Sequence, residues 1–364
     1  MKGRPDTDDY RALFLGNVPM IDLRAPVEFE KGAFPASLSL PLMSDDERAQ
    51  VGICYKQEGQ QAAIELGHRL VSGDIRARRL AQWSEFACQH PAGYLYCWRG
   101  GLRSQTVQSW LKQEGIEYPL VKGGYKAMRR FLLEELERSI ALADFVLISG
   151  KTGTGKTRVI ERLTRAVDLE GLANHRGSSF GQLPTPQPAQ IAFENSLSIV
   201  LMQLLARQQR TVFVEDEGRL IGRLYLPESL RKKMACAPML LVEHSLEDRI
   251  DVVIEDYVVD LGRRYANIYG EPGAALHREK MQQDLTRIGK RLGGQRLQQV
   301  SELMDEAFRQ QWRNADLDGH RFWIAVLLEQ YYDPMYEYQF SRREGERLFL
   351  GDRDAVVARA KQAL

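Results

Sequence analysis

Two short stretches of this 364-residue chain carry residue types at spacings that do chemistry. The first is Gly150-Lys151-Thr152-Gly153-Thr154-Gly155-Lys156-Thr157, which completes the pattern Gly-x-x-x-x-Gly-Lys-Ser/Thr. A loop of this kind turns successive backbone N–H groups inward around a diphosphate. Gly150, Gly153, Thr154 and Gly155 would form the cradle, Lys156 would neutralise the charge and Thr157 would offer its hydroxyl to a Mg²⁺ ion. Any diphosphate satisfies the same atoms, so the pattern predicts phosphate binding without choosing between ATP, GTP and another ligand. An acidic partner is expected at the end of a neighbouring strand, and Glu215, Asp216 and Glu217 follow the apolar run Thr211-Val212-Phe213-Val214. Asp216 or Glu215 is the expected Mg²⁺-linked acid; a solvated acidic turn is the alternative.

The second stretch is Tyr94-Leu95-Tyr96-Cys97-Trp98-Arg99-Gly100-Gly101-Leu102-Arg103-Ser104. It reads as a strand, a glycine-rich turn and a helix that stops at Gly115. Cys97 would then sit inside a ring of N–H groups at a helix N-terminus, where the field favours thiolate over thiol. Arg99, Gly100, Gly101, Arg103 and Ser104 would form an anion loop around the sulfur. Two chemistries use such a device: sulfur or selenium transfer through a persulfide-type intermediate, and cysteine-dependent cleavage of phosphate esters. The spacing Cys97-x-x-Gly100-x-x-Arg103-Ser104 fits the second, but Tyr96 stands where those phosphatases place a histidine. A buried structural thiol is the bland alternative for Cys97 and the preferred reading for Cys54, Cys88 and Cys236.

These sites need strands and helices to hold them. The apolar run Phe145 to Ser149 precedes the phosphate loop, and Val159, Ile160, Leu163 and Val167 mark an amphipathic helix after it. Short apolar runs alternate with helical stretches over residues 1–130. A charged helix from Tyr125 to Ala143 connects this region to a second α/β region, 140–246. Residues 247–364 read as helical and rich in Arg and Gln. The Gly177–Pro188 stretch reads as a functional loop or lid. Within Asn174 to Gly181, the residues Asn174, His175, Arg176 and Ser178 are candidate substrate contacts, as is Arg219. Arg219, Arg223, Arg231, Lys232 and Lys233, with Arg263, Arg264, Arg287, Lys290, Arg291 and Arg296, would together give a basic face for a phosphate backbone, although a solvated surface balanced by nearby acids is the commoner use. Tyr331 to Tyr338 is an aromatic cluster suited to base stacking or to core packing.

The bulk numbers exclude several classes. Hydrophobic residues make up 44% of the chain, charged residues 27%, and the net charge is +1, so this is an ordinary globular composition without a bulk nucleic-acid signal. No apolar run reaches membrane-spanning length, and Met1 to Tyr10 lacks the apolar core of a secretion signal. Four cysteines without a metal-site spacing suggest a reducing cytoplasm.

The residues upstream of Cys97 resemble the rhodanese family: Asp22-Leu23-Arg24, Glu28-Phe29, Gly32 to Ser37, and the closing Val121-Lys122-Gly123-Gly124-Tyr125. The Cys97 to Arg103 loop is one residue longer than a common rhodanese loop, which suits a bulkier substrate. The order of Cys97 loop, phosphate loop, Ala173 to Ser178, Glu217-Gly218-Arg219-Leu220-Ile221-Gly222 and Tyr331 to Tyr336 resembles the tRNA 2-selenouridine synthases over essentially the whole chain. That resemblance implies an α/β fold: an N-terminal rhodanese-like domain, then a P-loop NTPase-like parallel-sheet domain with a helical C-terminal region. It also implies a substrate, tRNA with 2-thiouridine at the wobble position, and two co-substrates, geranyl diphosphate and selenophosphate. The sulfur would be geranylated and then replaced by selenium, with Mg²⁺ but no tightly bound cofactor. The alternatives are a cysteine-dependent phosphatase or sulfurtransferase fused to a P-loop NTPase, and a non-catalytic P-loop binding protein.

Overall fold

Apolar runs too short to span a helix pair in parallel in two separate sheets. The computed structural model describes residues 4–207 and 210–362. The chain folds as two compact units, one formed by Met1–Ser139 with Ala189–Gln203, the other by Ile140–Pro188 with Leu204–Leu364.

In the first unit, β1 (Met20–Asp22) lies between β2 (Ser37–Ser39) and β3 (Tyr94–Tyr96), all parallel. This sheet is compatible with the rhodanese-like reading. Ile21, Leu23 and Leu95 are buried on one side with Trp83, Val107 and Leu111, and the Trp83 indole N–H donates to Leu40 O at 3.0 Å. A second core joins Leu13, Phe14, Phe34 and Met128 to Ile199 and Met202. The Gln190–Leu205 helix therefore packs mainly in the first unit, although it lies within the stretch expected to belong to the phosphate-binding region.

The second unit contributes β4 (Asp144–Ser149), β5 (Ala166–Val167), β6 (Thr211–Glu215), β7 (Leu220–Ile221), β8 (Leu224–Tyr225), β9 (Met239–Val242) and β10 (Arg347–Gly351). Five of these form a parallel sheet in the order β10-β9-β4-β6-β5, while β7 and β8 pair as a small antiparallel ribbon. The chain leaves β4 toward β5 and β6 on one side and later returns to β9 on the other. That reversal opens a crevice at the C-terminal end of β4, where ligands of open parallel sheets sit. The phosphate loop begins there.

The expected α/β class holds, with two corrections in the C-terminal region. A separate unit does not begin at 247: Ile250, Leu285, Val300 and Trp323 build one core that includes Phe180, from the loop after the first strands of the same unit. Nor is 247–364 wholly helical, because β10 joins the sheet beside β9 and the Arg353–Gln362 helix covers it with Val356, Val357 and Ala360. An edge strand with Leu348 and Leu350 exposed shows little burial pattern, so pairing with β9 is what makes it a strand.

Asp22 and Arg24 form an ion pair with side chains 0% and 1% exposed, Arg24 Nη2 lying 2.6 Å from Asp22 Oδ2. Tyr96 adds its hydroxyl to Asp22 at 2.8 Å, and Arg24 donates to Glu28 O and Gly32 O. Asp22→Ala would strand a guanidinium inside the protein, an expected loss of about 3–5 kcal/mol. Urea unfolding of the two proteins measures it, and Asp22→Asn, which keeps an acceptor, is expected to lose less.

Candidate active site

Cys97 lies one residue beyond β3, 3% exposed, where the chain turns toward the Leu102–Gln113 helix. Its Sγ is 4.0 Å from Gly101 O, and its carbonyl accepts the Tyr125 N–H at 2.9 Å. Gly100 has φ 62°, and a Cβ there would lie 2.8 Å from Val121 O, so the turn closes only with glycine. Arg24 stacks on the Tyr125 ring at 3.7 Å, and Trp98 stacks on the same tyrosine, so the Asp22–Arg24 pair also props the turn. Gly101 caps the helix without a side-chain hydrogen bond, which leaves the first N–H groups turned to the loop.

The five residues expected around the sulfur divide. Gly100 and Gly101 form the turn. Arg99 is exposed. Arg103 is held away from a phosphatase-like role by Glu28, at 2.8 Å. Burial alone would raise the Glu28 carboxyl, but Arg103, with help from Arg48, holds it below the usual carboxylate range. Ser104 is 0% exposed and its hydroxyl has no partner. Tyr96, in the histidine position of a phosphatase, is consumed by Asp22 and Ser37. The Glu28 contact was visible in sequence only as part of a motif, because 75 residues separate it from Arg103.

The phosphate loop runs from β4 into the Lys156–Ile160 helix, again capped by a glycine, Gly155, with no side-chain hydrogen bond. Lys156 Nζ donates to Gly150 O at 3.0 Å and lies 5.5 Å from the Tyr336 ring centre. Thr154 is tied to Lys151 O, while Thr157 Oγ1 is 3.3 Å from Glu170 Oε2. Glu170 is the residue that sequence reasoning missed. It lies on the five-residue helix after β5, where no motif marks it, and its N–H donates to Glu215 at 3.1 Å.

Glu170, Glu215 and Glu217 thus gather beside Lys156 and Thr157. Burial first, and then one another's charge, push Glu170 and Glu215 up to about 8 and Glu217 up to about 7. Burial opposes the charge of Lys156, yet Tyr336 and these carboxylates outweigh it and raise its pKa. Glu215 Oε1 is buried without a partner. Asp216 is engaged differently: Ser149 donates to it at 2.5 Å and Arg343 pairs with it. Among the described residues no group of three or more His, Cys, Asp or Glu side chains is arranged to hold a metal ion.

The loop opens on a cavity of about 570 Å³. Lys156, Thr157, Glu170 and Glu217 line one wall, and Asp256, Tyr257, Tyr331, Tyr332 and Met335 another. Both elements of the second wall contain a π-helical turn, Ile254–Asp260 and Leu328–Tyr332. Such turns bulge one residue out of helical register and recur at functional sites. The Tyr331 to Tyr338 cluster therefore serves the cavity and the core together. Asn174, His175, Arg176 and Ser178 also line the cavity; three of them are already held, while His175 Nδ1 is buried without a hydrogen-bond partner. Asn174 donates to Thr185, Arg176 pairs with Asp256 and Asp260, and Ser178 accepts from Tyr257. His175 is buried, and that burial, with Lys280 and Arg287 nearby, lowers it to about 4, so it is neutral at pH 7. Arg219 lies outside this wall, over the Tyr225 ring. The Gly177–Pro188 stretch is pinned by Phe180 in the core and by Gln187, which donates to Ala173 O and Ile221 O. Much of the expected basic face is paired: Arg263 and Arg264 with Asp260, Arg287 with Asp284. Arg291 lines the cavity.

Comparison with known sequences places this geometry. The tRNA 2-selenouridine synthase AAA domain family matches residues 143–364. A tRNA 2-selenouridine synthase of Marinobacter nauticus is 52% identical over 99% of this chain and 99% of its own. Those of Pseudomonas entomophila and Ectopseudomonas mendocina are 50% and 53% identical, each over 99% of this chain. The chain belongs to the tRNA 2-selenouridine synthase family. This is the family that the motif order had indicated. Among the described residues no helix is long and apolar enough to cross a membrane.

The glutamate cluster has a consequence for stability. Raised carboxyl pKa values mean that the folded chain holds protons the unfolded chain releases. The associated stability is complete below the ordinary carboxylate range and is lost as pH rises through about 7 to about 8. In the presence of EDTA, the thermal midpoint is expected to fall as pH rises across that window, and Glu215→Gln is expected to flatten the fall. An unchanged slope in Glu215→Gln would contradict the assignment.

Proposed function

We propose that this chain converts wobble 2-thiouridine in tRNA to 2-selenouridine in two steps, the first using geranyl diphosphate and the second selenophosphate. The observation that carries the reading is the pairing, in one chain, of a diphosphate cradle opening on a cavity with an aromatic wall and a cysteine held at an uncapped helix N-terminus.

In the first step the thiocarbonyl sulfur attacks the carbon bearing the diphosphate. The C–O bond breaks, diphosphate departs with the electron pair, and the base loses its ring N–H proton. Free backbone N–H groups of the Gly150–Thr157 loop and the Lys156 ammonium would stabilise the negative charge that develops on the departing diphosphate. A Mg²⁺ ion would neutralise the departing diphosphate further. The oxygen-only donor set of Thr157, Glu170 and Glu215, with one Glu215 oxygen unpartnered, fits such a hard cation. Asp216, expected in that role, already answers Ser149 and Arg343.

In the second step, taken as a whole, selenium bonds to C2 of the base while the P–Se bond of selenophosphate breaks and its phosphoryl group passes to water as phosphate, and the C2–S bond breaks with its electron pair on sulfur. A thiocarbonyl sulfur leaves poorly; an alkylated sulfur leaves as a thiolate. Cys97 serves this step as the nucleophile: its thiolate adds to C2 and expels the geranyl thiolate, and selenium then displaces it from C2 as the free thiolate. Tyr331, Tyr332 and Tyr336 suit an unpaired base displayed by a single-stranded anticodon loop.

Nucleosides from thiolated tRNA, incubated with geranyl diphosphate and then selenophosphate, can be weighed after each step. Cys97→Ser is expected to accumulate the geranyl adduct and form no 2-selenouridine. Lys156→Ala is expected to slow adduct formation by about 100-fold or more, while still converting tRNA supplied already geranylated. Loss of both steps in Cys97→Ser, or full geranyl transfer by Lys156→Ala, would refute the division of labour.

A further inference from the structure

The first unit contains a second cavity, of about 340 Å³, which neither step described above occupies. Its walls are mainly apolar: Leu42, Val51, Ile64, Val71, Leu102 and Trp110. The shape comes from the Asp45–Leu70 helix, which breaks at Gly59 with φ 88° and ψ −175°. A Cβ at Gly59 would meet nothing within 4 Å, so the backbone conformation rather than crowding calls for glycine. Val51 and Tyr55 precede the break, and Ala63, Ile64 and Gly67 follow it; both limbs of the helix face the same hollow. Its floor belongs to the core, since Val71 is 3% and Trp110 7% exposed, while Leu102 is left 51% exposed and Tyr55 57%. Concave apolar surface of this size, open to solvent, is the usual form of a binding site for an apolar ligand.

The remaining wall indicates which ligand. Leu102, Arg103 and Thr106 line the hollow and form the first turn and a half of the helix whose N-cap is Gly101. The N-terminal end of that turn belongs to the Cys97 loop; its side chains belong to the hollow. Apolar space therefore begins at the residue after Gly101, whose carbonyl lies 4.0 Å from Cys97 Sγ. Arg103 is already neutralised by Glu28, so the hollow offers no unpaired arginine to an anion. A substrate that reacts at Cys97 and carries an apolar substituent would have that substituent beside this wall.

We infer that this hollow receives the geranyl chain of the S-geranylated base during the selenium step. The inference rests on the two-step reading above and gives the second step its own isoprenoid site, separate from the phosphate loop. A branched ten-carbon chain is apolar, and a cavity of about 340 Å³ lies within the range of about 300–1,000 Å³ common for small-molecule sites. Selenium bonds to C2 as the P–Se bond of selenophosphate breaks and water takes the phosphoryl group as phosphate, the C2–S bond breaks, and the electron pair leaves with sulfur as geranyl thiolate. With its chain in the hollow, that thiolate would form beside the uncapped N-terminus of the Leu102–Gln113 helix, whose dipole stabilises it.

The test uses the full chain, selenophosphate and tRNA carrying chemically installed S-geranyl or S-methyl 2-thiouridine, so that the first step is bypassed. Ile64→Trp and Thr106→Trp, which place an indole in the hollow, are expected to lower the ratio of S-geranyl to S-methyl conversion at least tenfold. Calorimetry with S-geranyl-2-thiouridine nucleoside is expected to show at least tenfold weaker binding to both variants. Geranyl transfer from geranyl diphosphate by the same preparations shows that they are folded. If wild-type protein converts S-geranyl tRNA and neither variant changes the ratio or the binding, the assignment of the hollow is overturned. If wild-type protein binds the nucleoside and the variants do not, yet no S-geranyl tRNA is converted, the hollow keeps its ligand and the two-step reading falls.

Discussion

A helix begins with N–H groups that have no partner in its own first turn, and something must accept them. The Asp45–Leu70 helix meets this need with Ser44 and a reciprocal contact from Glu47. The two helices that follow the reactive turns do not: Gly101 and Gly155 stand at their N-caps and supply no side chain. Each of these helices also begins just beyond the C-terminal end of a parallel strand, so its open N–H groups lie at the C-terminal ends of the strands. Unmet backbone donors there suit an anion. The chain builds the device twice, once beside a thiol and once beside a lysine, and the surrounding structure serves to hold the two turns open.

The supporting parts concentrate charge in buried places. In the first unit the buried Asp22–Arg24 pair links β1 to the ring of Tyr125 and through it to Trp98, so an ion pair with no direct access to substrate shapes the cysteine turn. In the second, three glutamates share a small volume with Lys156, and two of them line the cavity. Carboxyl groups forced together in this way favour a proton or a cation between them. Ligand binding that brings a metal ion would relieve that repulsion, coupling occupancy of the phosphate loop to the stability of the unit. The π-helical turns add an irregular feature to the same cavity, and Tyr257, Tyr331 and Tyr332, which they carry, line it.

Much of this was legible from local pattern. The phosphate loop, the strand before it and the helix after it occupy one continuous stretch, and glycine, lysine and threonine at fixed offsets have few other uses. The cysteine turn is equally local. The residue pattern did not reveal that Arg103 is answered by Glu28, that Asp216 is answered by Ser149 and Arg343, or that Arg263 and Arg264 converge on Asp260. Charged residues look alike in sequence whether they face a ligand, an ion-pair partner or water.

What the sequence by itself determined is therefore local: a Gly-x-x-x-x-Gly-Lys-Thr loop between a strand and a helix, a cysteine at a helix N-terminus, and the motif order that resembles the family. These depend on residues near one another in the chain, where backbone geometry follows from residue type. Tertiary structure alone decided which carboxylates surround Lys156, which helix residues complete the first unit and where an apolar hollow opens. Glu170, the Gln190–Leu205 helix and the two limbs around Gly59 acquire those roles only through packing between distant segments, because burial and electrostatic contact are properties of the folded chain.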